Sequence, residues 1–230
     1  MVFFFMFESL NLVDLKALQE CKVLRQHSST RPEIFLVKHD GVQLIVKNFS
    51  RNKFLFRNTI GRFLVWRESK AYRKLGALKG IPRMYKVVDG LALLIEAIQG
   101  RTLEHITEKK DLPPDFFPML RNLISECHKR GQAHCDIKKS ANIIFGNDNL
   151  PYIIDWGASI NIRECSCFPL SCFFNLFVID DYKAITKLKL RLDPESVGFE
   201  EKKWYFKHYF MENHIRTIRD GLRALLKKIA

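Results

Sequence analysis

The chain has 230 residues, enough for one sizeable domain or two small lobes. Its 47% hydrophobic and 27% charged residues exclude a disordered chain. The 38 Lys+Arg against 25 Asp+Glu leave a net charge of +13, which favours anionic partners: nucleotide phosphates, nucleic acid or an acidic membrane surface.

The opening run MVFFFMF has no basic leader or small-residue cleavage site and is far shorter than the roughly 20 residues a bilayer span needs. It reads as a packed N-terminal segment. Three strands follow, CKVLRQ, EIFLVKH and VQLIVKNF, rich in β-branched and aromatic residues, with a tight turn at Asp40-Gly41 joining the last two. From Ile60 the period changes: Ile60, Leu64, Ala71 and Leu75 share one helical face, Glu68 falls on it, and Gly76 stops the helix. MYKVVDGLALLIEAI supplies two more strands around Asp89-Gly90, which completes a five-stranded sheet. QGRTL is a short connector. Pro113, Pro114 and Asp115 start a helix with the stripe Phe116, Leu120, Leu123, Ile124 and Cys127, and Gly131 ends it. Two short strands, NIIF and YIID, then lead to helices near 178–192, 199–212 and 214–229.

The fold class is therefore α+β: an N-terminal β-rich lobe over residues 1–98 and a mainly helical lobe over 99–230, with a cleft between them as the expected ligand site. The six cysteines read as reduced thiols, and Cys165, Cys167 and Cys172 lack the second ligand pair of a zinc site.

Charged residues at the ends of apolar strands need partners. Lys47 ends QLIV and Glu68 lies on the apolar face of the next helix, so the two can satisfy each other; alternatively each is a solvated surface residue. Asp136, Lys138 and Asn142 share one loop, and Asp155 closes a strand before Trp156-Gly157; singly, each could be a turn-former.

As an ordered set, HCDIKKSAN followed by IIDWG resembles the catalytic loop and metal-binding segment of the protein-kinase-like superfamily. Over roughly residues 21 to 195 the chain is similar to small bacterial RIO-like and lipopolysaccharide (Kdo/heptose) kinases. The resemblance implies an ATP- and Mg²⁺-dependent phosphotransferase with an alcohol acceptor. It implies that Lys47, held by Glu68, contacts the α- and β-phosphates, and that Glu96, Ala97 and Ile98 present the backbone that reads adenine. Asp136 would orient or deprotonate the acceptor, Lys138 steady the transferring phosphate, Asn142 and Asp155 hold the metal, and His134 brace the loop. Asp180 or Asp181 resembles the aspartate that braces the catalytic-loop backbone, with a helix N-cap as the structural alternative.

Three departures stand out. Asn142 lies six residues after Asp136, where the protein-kinase signature has five; RQHSSTRPEIF stands in the phosphate-loop position without a glycine; and no A-P-E follows Asp155. The last favours RIO-like or small-molecule kinases over a regulated protein kinase, and the first two motivate the alternative of a catalytically inactive kinase-fold binding module. The uncharged run at 165–179 beside Lys183, Lys187, Lys189 and Arg191 reads either as part of the large lobe's core or as an apolar loop and a basic helix resting on an acidic membrane, and Pro169 and Asn175 argue against a span. The expected partners are ATP and a lipid-linked sugar or protein hydroxyl, in the cytoplasm with peripheral contact at the inner membrane. No nucleic-acid recognition motif accompanies the basic C-terminal segments.

Overall fold

A computed structural model of the chain describes residues 21–39, 41–76, 78–165 and 170–207. The apolar N-terminal run, Asp40, Cys167 and the helical sequence expected beyond Lys207 lie outside the described residues. The chain divides into two compact units. Within the described residues, one comprises 21–73 and Pro82–Ala97, and the other Lys74–Ile81 and 98–207.

The first unit is built on strands β1 (Cys21–Arg25), β2 (Glu33–His39), β3 (Val42–Asn48), β4 (Met84–Val88) and β5 (Ala92–Glu96), all antiparallel in the order β1-β2-β3-β5-β4. Both hairpin signals correspond to left-handed backbone: Gly41 has φ 78°, and Asp89 and Gly90 have φ 51° and 66°. Strand alternation sends Phe35, Val37, Leu44, Val46, Ala92 and Leu94 to one face, where they form a core with Val88. The same alternation turns Lys47 to the opposite face.

The helix after β3 starts earlier than its sequence period indicates. A turn at Phe54–Phe56 passes through a π-helical segment, Arg57–Gly61, into α1 (Arg62–Leu75). The π segment shifts the phase of the helix, so Val65, Glu68, Ala71, Tyr72 and Leu75 are buried while Ile60 and Leu64 lie half-buried at the edge. Gly76, at φ 57°, ends α1.

The second unit contains α2 (Phe116–Lys129), α3 (Leu170–Leu192), α4 (Phe199–Lys207), a three-stranded sheet and a two-stranded ribbon. The α2 stripe is buried throughout, and Phe116 meets Phe145 edge-on at 5.6 Å. The sheet joins β6 (Gly100–Thr102), β8 (Ile143–Gly146) and β9 (Pro151–Ile153), so QGRTL is part of a strand rather than a plain connector. At Gly100 an added Cβ would lie 2.2 Å from Phe145 O, so this backbone approach requires glycine. The ribbon pairs β7 (Gln132–Ala133) with β10 (Ile160–Asn161).

Where the run at 165–179 is described, the structure favours core packing over an apolar surface loop. Helix α3 begins at Leu170, and Phe174 is buried with Ala133 and Cys165 while Phe177 and Val178 pack beside it. An unbroken apolar run carries no period of its own, and here it is a helix packed into the interior. Of the basic residues on α3, Lys183 is buried against the Tyr205 ring and Lys189 pairs with Glu201 at 3.0 Å, while Lys187 and Arg191 are exposed, Arg191 donating to Leu103 O. Among the described residues no helix is long and apolar enough to cross a membrane.

Candidate functional site

In the first unit, Lys47 Nζ lies 2.6 Å from Glu68 Oε1, and both side chains are almost wholly buried. Sheet register fixes the lysine, opposite Ile34 and Leu93, and the buried face of α1 supplies the carboxylate. A buried ion pair is costly to assemble and costlier to break, because the surviving charge stays out of water.

At the end of β5, Glu96 is clamped by Arg83: Glu96 N donates to Arg83 O at 2.8 Å, and Arg83 N donates to Glu96 Oε2 at 2.9 Å. Ala97 N donates to Gln43 O, so of the three adenine-reading residues implied by the motif, Ala97 has its amide engaged within the sheet. Ile98 is half-buried and opens the second unit.

The glycine-free segment between β1 and β2 is a tight turn closed by reciprocal Ser28–Arg31 backbone bonds. Asn52, 4% exposed, donates to the carbonyls of Ser28, Ser29 and Arg31, and Arg51 pairs with the buried Glu33 at 3.2 Å. Side-chain hydrogen bonds thus fix a turn that glycines shape in related motifs.

The second unit holds the loop that follows α2 and β7. Buried Asp181 on α3 anchors it: Oδ2 accepts from His134 N at 2.7 Å and Oδ1 from Cys135 N at 2.8 Å, while His128 Nε2 sits 3.0 Å from Oδ2. Asp181 lies well inside α3, so its alternative reading as a helix N-cap is excluded. Cys135 is held at φ 65°, a left-handed conformation uncommon outside glycine, by the same carboxylate.

His134 is fully buried, and its two ring nitrogens have different partners. Nε2 donates to Ile154 O at 2.9 Å, and Nδ1 accepts from Asp136 N at 3.2 Å. These bonds require the neutral imidazole with its proton on Nε2, since a proton on Nδ1 would oppose the Asp136 N–H. The ring also packs edge-on against Trp156 at 4.6 Å.

The extra residue between Asp136 and Asn142 is taken up by a 3-10 turn at Ser140–Asn142. Asn142 is thereby returned to Asp136: its Nδ2 donates to Asp136 O at 2.9 Å and approaches Asp136 Oδ2 at 3.5 Å. Ile154 N donates to Asn142 O at 2.9 Å, tying the Asp155 segment to this loop. Asp155 adopts φ 65°, ψ 65° ahead of the turn Trp156–Ala158. Behind that turn, the buried chain Asn161–Gln132–Ser159–Trp156 is linked by side-chain hydrogen bonds.

The two loop lysines take separate partners. Lys138 Nζ is 2.8 Å from buried Asp180, whereas Lys139, the more exposed, forms an ion pair with Asp136. Lys139, which the sequence did not single out, thus adds a cation at Asp136. Adjacent lysines in a loop give no periodic clue to which points where.

Asn142 and Asp155 offer an amide oxygen and a carboxylate, the hard donors that suit Mg²⁺, which takes few protein ligands and completes its shell with water and phosphate oxygens. Among the described residues no group of three or more His, Cys, Asp or Glu could hold a metal ion.

No family model matches the chain. The chain is 31% identical over 110 residues to a probable casein kinase I homologue of Encephalitozoon cuniculi, a match covering 43% of this chain and 33% of that protein. Among solved structures, the Rio2 kinase from Chaetomium thermophilum superposes with a TM-score of 0.58 at 16% identity, covering 84% of this chain and 64% of that one. The chain has a protein-kinase-like fold. It spans about a third of the casein kinase I homologue and just under two thirds of the Rio2 kinase. In the kinase-like frame, the Asp181-braced loop is the segment resembling a catalytic loop, and the residue paired with Lys47, Glu68, lies on α1.

Proposed function

We propose that the chain is a phosphotransferase that moves the γ-phosphoryl group of Mg·ATP to an acceptor hydroxyl. The observation that carries this reading is the closing of the six-residue spacing: the loop turn returns Asn142 to Asp136, and Asp181 holds that loop from behind. Phosphoryl transfer needs positioned charge more than covalent chemistry from the protein.

In this reading, Asp136 receives or orients the proton of the acceptor hydroxyl as its oxygen bonds to phosphorus and the bond to the ADP oxygen breaks. Lys139 answers the developing charge, while Lys138 anchors the loop to Asp180. Lys47, oriented by Glu68, meets the α- and β-phosphates. A metal ion held by Asn142 and Asp155 would neutralise the phosphates and orient the γ-phosphoryl group. His134 keeps the loop in shape and exchanges no proton. The tight turn at Ser28–Arg31, fixed by Asn52, covers the phosphates with a rigid edge in place of a glycine loop.

For the acceptor, Phe174 and Lys183 are buried and so take no part in a membrane-facing surface, and the casein kinase name of the relative favours a protein hydroxyl over a lipid-linked sugar. Incubation with γ-labelled ATP and either cytosolic protein or lipopolysaccharide separates the two; label in lipopolysaccharide alone would reverse the preference. The binding-module alternative draws on Asp136 being neutralised by Lys139. It predicts nucleotide binding without turnover in both wild type and Lys139→Ala.

A further inference from the structure

The helical run from Phe54 to Arg73 carries an outward face that the proposed activity does not use. Phe54, Leu55, Phe63 and Trp66 are 73, 62, 48 and 51% exposed, whereas Val65, Glu68, Ala71 and Tyr72 are buried on the other side. The π segment brings the first turn into line with α1, so the four apolar side chains share one side of a run about 30 Å long. A cluster of large apolar side chains in one patch of a folded unit marks an interaction surface.

The same side is basic. Arg57, Arg67 and Lys70 lie over the rings of Phe54, Phe63 and Trp66 at 5.4, 5.9 and 5.0 Å, and Lys53, Arg62 and Arg73 are exposed beside them. The one acidic residue from Arg51 to Leu75, Glu68, is buried against Lys47, so no carboxylate of this run faces outward. The charge calls for an anionic occupant, and the shape chooses among anions. A single helix is a convex rod: an extended peptide docks on a sheet edge or in a groove, and a nucleotide strand would have to displace the cations from the rings before its bases could stack there. A bilayer surface needs only an outward face, taking Phe, Leu and Trp at the boundary of headgroups and acyl chains while Lys and Arg meet anionic headgroups.

We infer that the Phe54–Arg73 face rests on an anionic phospholipid bilayer, with Phe54, Leu55, Phe63 and Trp66 at the boundary of headgroups and acyl chains and the surrounding cations on the headgroups. Glu68, the partner of Lys47, lies on the buried side of α1 and takes no part in the contact. The inference stands whether or not the chain transfers phosphate.

The test is sedimentation of the full chain with vesicles of phosphatidylcholine alone and of phosphatidylcholine with phosphatidylserine. The expected result is binding to the second kind only, weakened at least about tenfold by Phe54→Ser with Leu55→Ser and by Lys53→Glu with Arg73→Glu. The matched reversal Lys202→Glu with Lys203→Glu, at exposed positions of α4, should change it by no more than about twofold, because screening confines the attraction to the cations at the surface. Both pairs on the face are exposed, so either decides the matter if the other fails to fold. Brominated acyl chains should also quench the tryptophan emission of the wild type, an effect lost in Trp66→Phe while binding is kept; Trp156 is fully buried and Trp204 lies on α4. Absence of binding to the phosphatidylserine vesicles, an equal loss in the α4 reversal, or quenching that persists in Trp66→Phe would overturn the inference. So would retention of a single-stranded oligonucleotide or a Glu-rich peptide that Lys53→Glu with Arg73→Glu abolishes in the absence of vesicle binding, which would make that polymer the occupant.

Discussion

Asp181→Ala removes the carboxylate that accepts from His134 N, Cys135 N and His128. Two backbone amides then lose their acceptor in a buried region, each costing about 1 to 3 kcal/mol, and the left-handed Cys135 loses the bond that holds it. The sum is about 3 to 5 kcal/mol, a large share of the 5 to 15 kcal/mol that stabilises a typical domain. For a protein of this size each kcal/mol moves the melting temperature by about 2 to 4 °C, so a fall of about 10 °C is expected. Asp181→Asn retains one acceptor at nearly the same volume and should fall about half as far. Calorimetry on the three proteins decides the matter. A loss below 2 °C for the alanine variant would show that the loop is held by something other than this carboxylate.

The ion pair Lys47–Glu68 separates stability from function. Glu68→Ala should cost about 3 to 5 kcal/mol by urea unfolding, whereas Lys47→Met with Glu68→Leu should regain most of that stability yet lose the response to ATP. Gly80 combines φ 95° with a Cβ position 2.6 Å from Leu123 and 2.7 Å from Pro151 O, so Gly80→Ala should lower stability by about 2 kcal/mol or more, read from the urea midpoint. Burial, aided by Asp181, pushes the Cys127 thiol well above its usual range, so iodoacetamide at pH 8 should leave it unmodified in the native state and label it in urea. The Lys109 hydrogen bond holds the Asp193 carboxyl below its usual range, so the pair stabilises the protein above the unfolded carboxyl pKa of about 4 and loses that contribution as pH falls through the lower folded value. Lys109→Met should therefore lower the melting temperature at pH 6 and converge with wild type in strong acid.

Residues whose partners are near in sequence were legible without a structure. The Asp89-Gly90 turn, the buried stripe of α2 and the place of Glu68 on the α1 face follow from local geometry and period. The spacing of Asp136, Asn142 and Asp155 singled out one loop and strand end, and the structure shows Asn142 folded back on Asp136. What sequence left open depends on distant register. Strands β6, β7 and β10 have two or three residues each and pair with partners 27 to 46 positions away. The choice between Asp180 and Asp181 turns on the rotation of α3 against the loop, which no local pattern encodes. The apolar run before Asp180 reads as either core or membrane surface because a buried helix and an apolar loop share one composition.

The most direct measurement of the central claim follows γ-labelled phosphate from Mg·ATP to a protein hydroxyl in the wild type and in Asp136→Asn. The account predicts a labelled phosphate ester whose rate of formation falls at least about a hundredfold in the variant, with ATP-induced thermal stabilisation retained. Equal rates in the two proteins, or no transfer by the wild type to any hydroxyl acceptor, would contradict it.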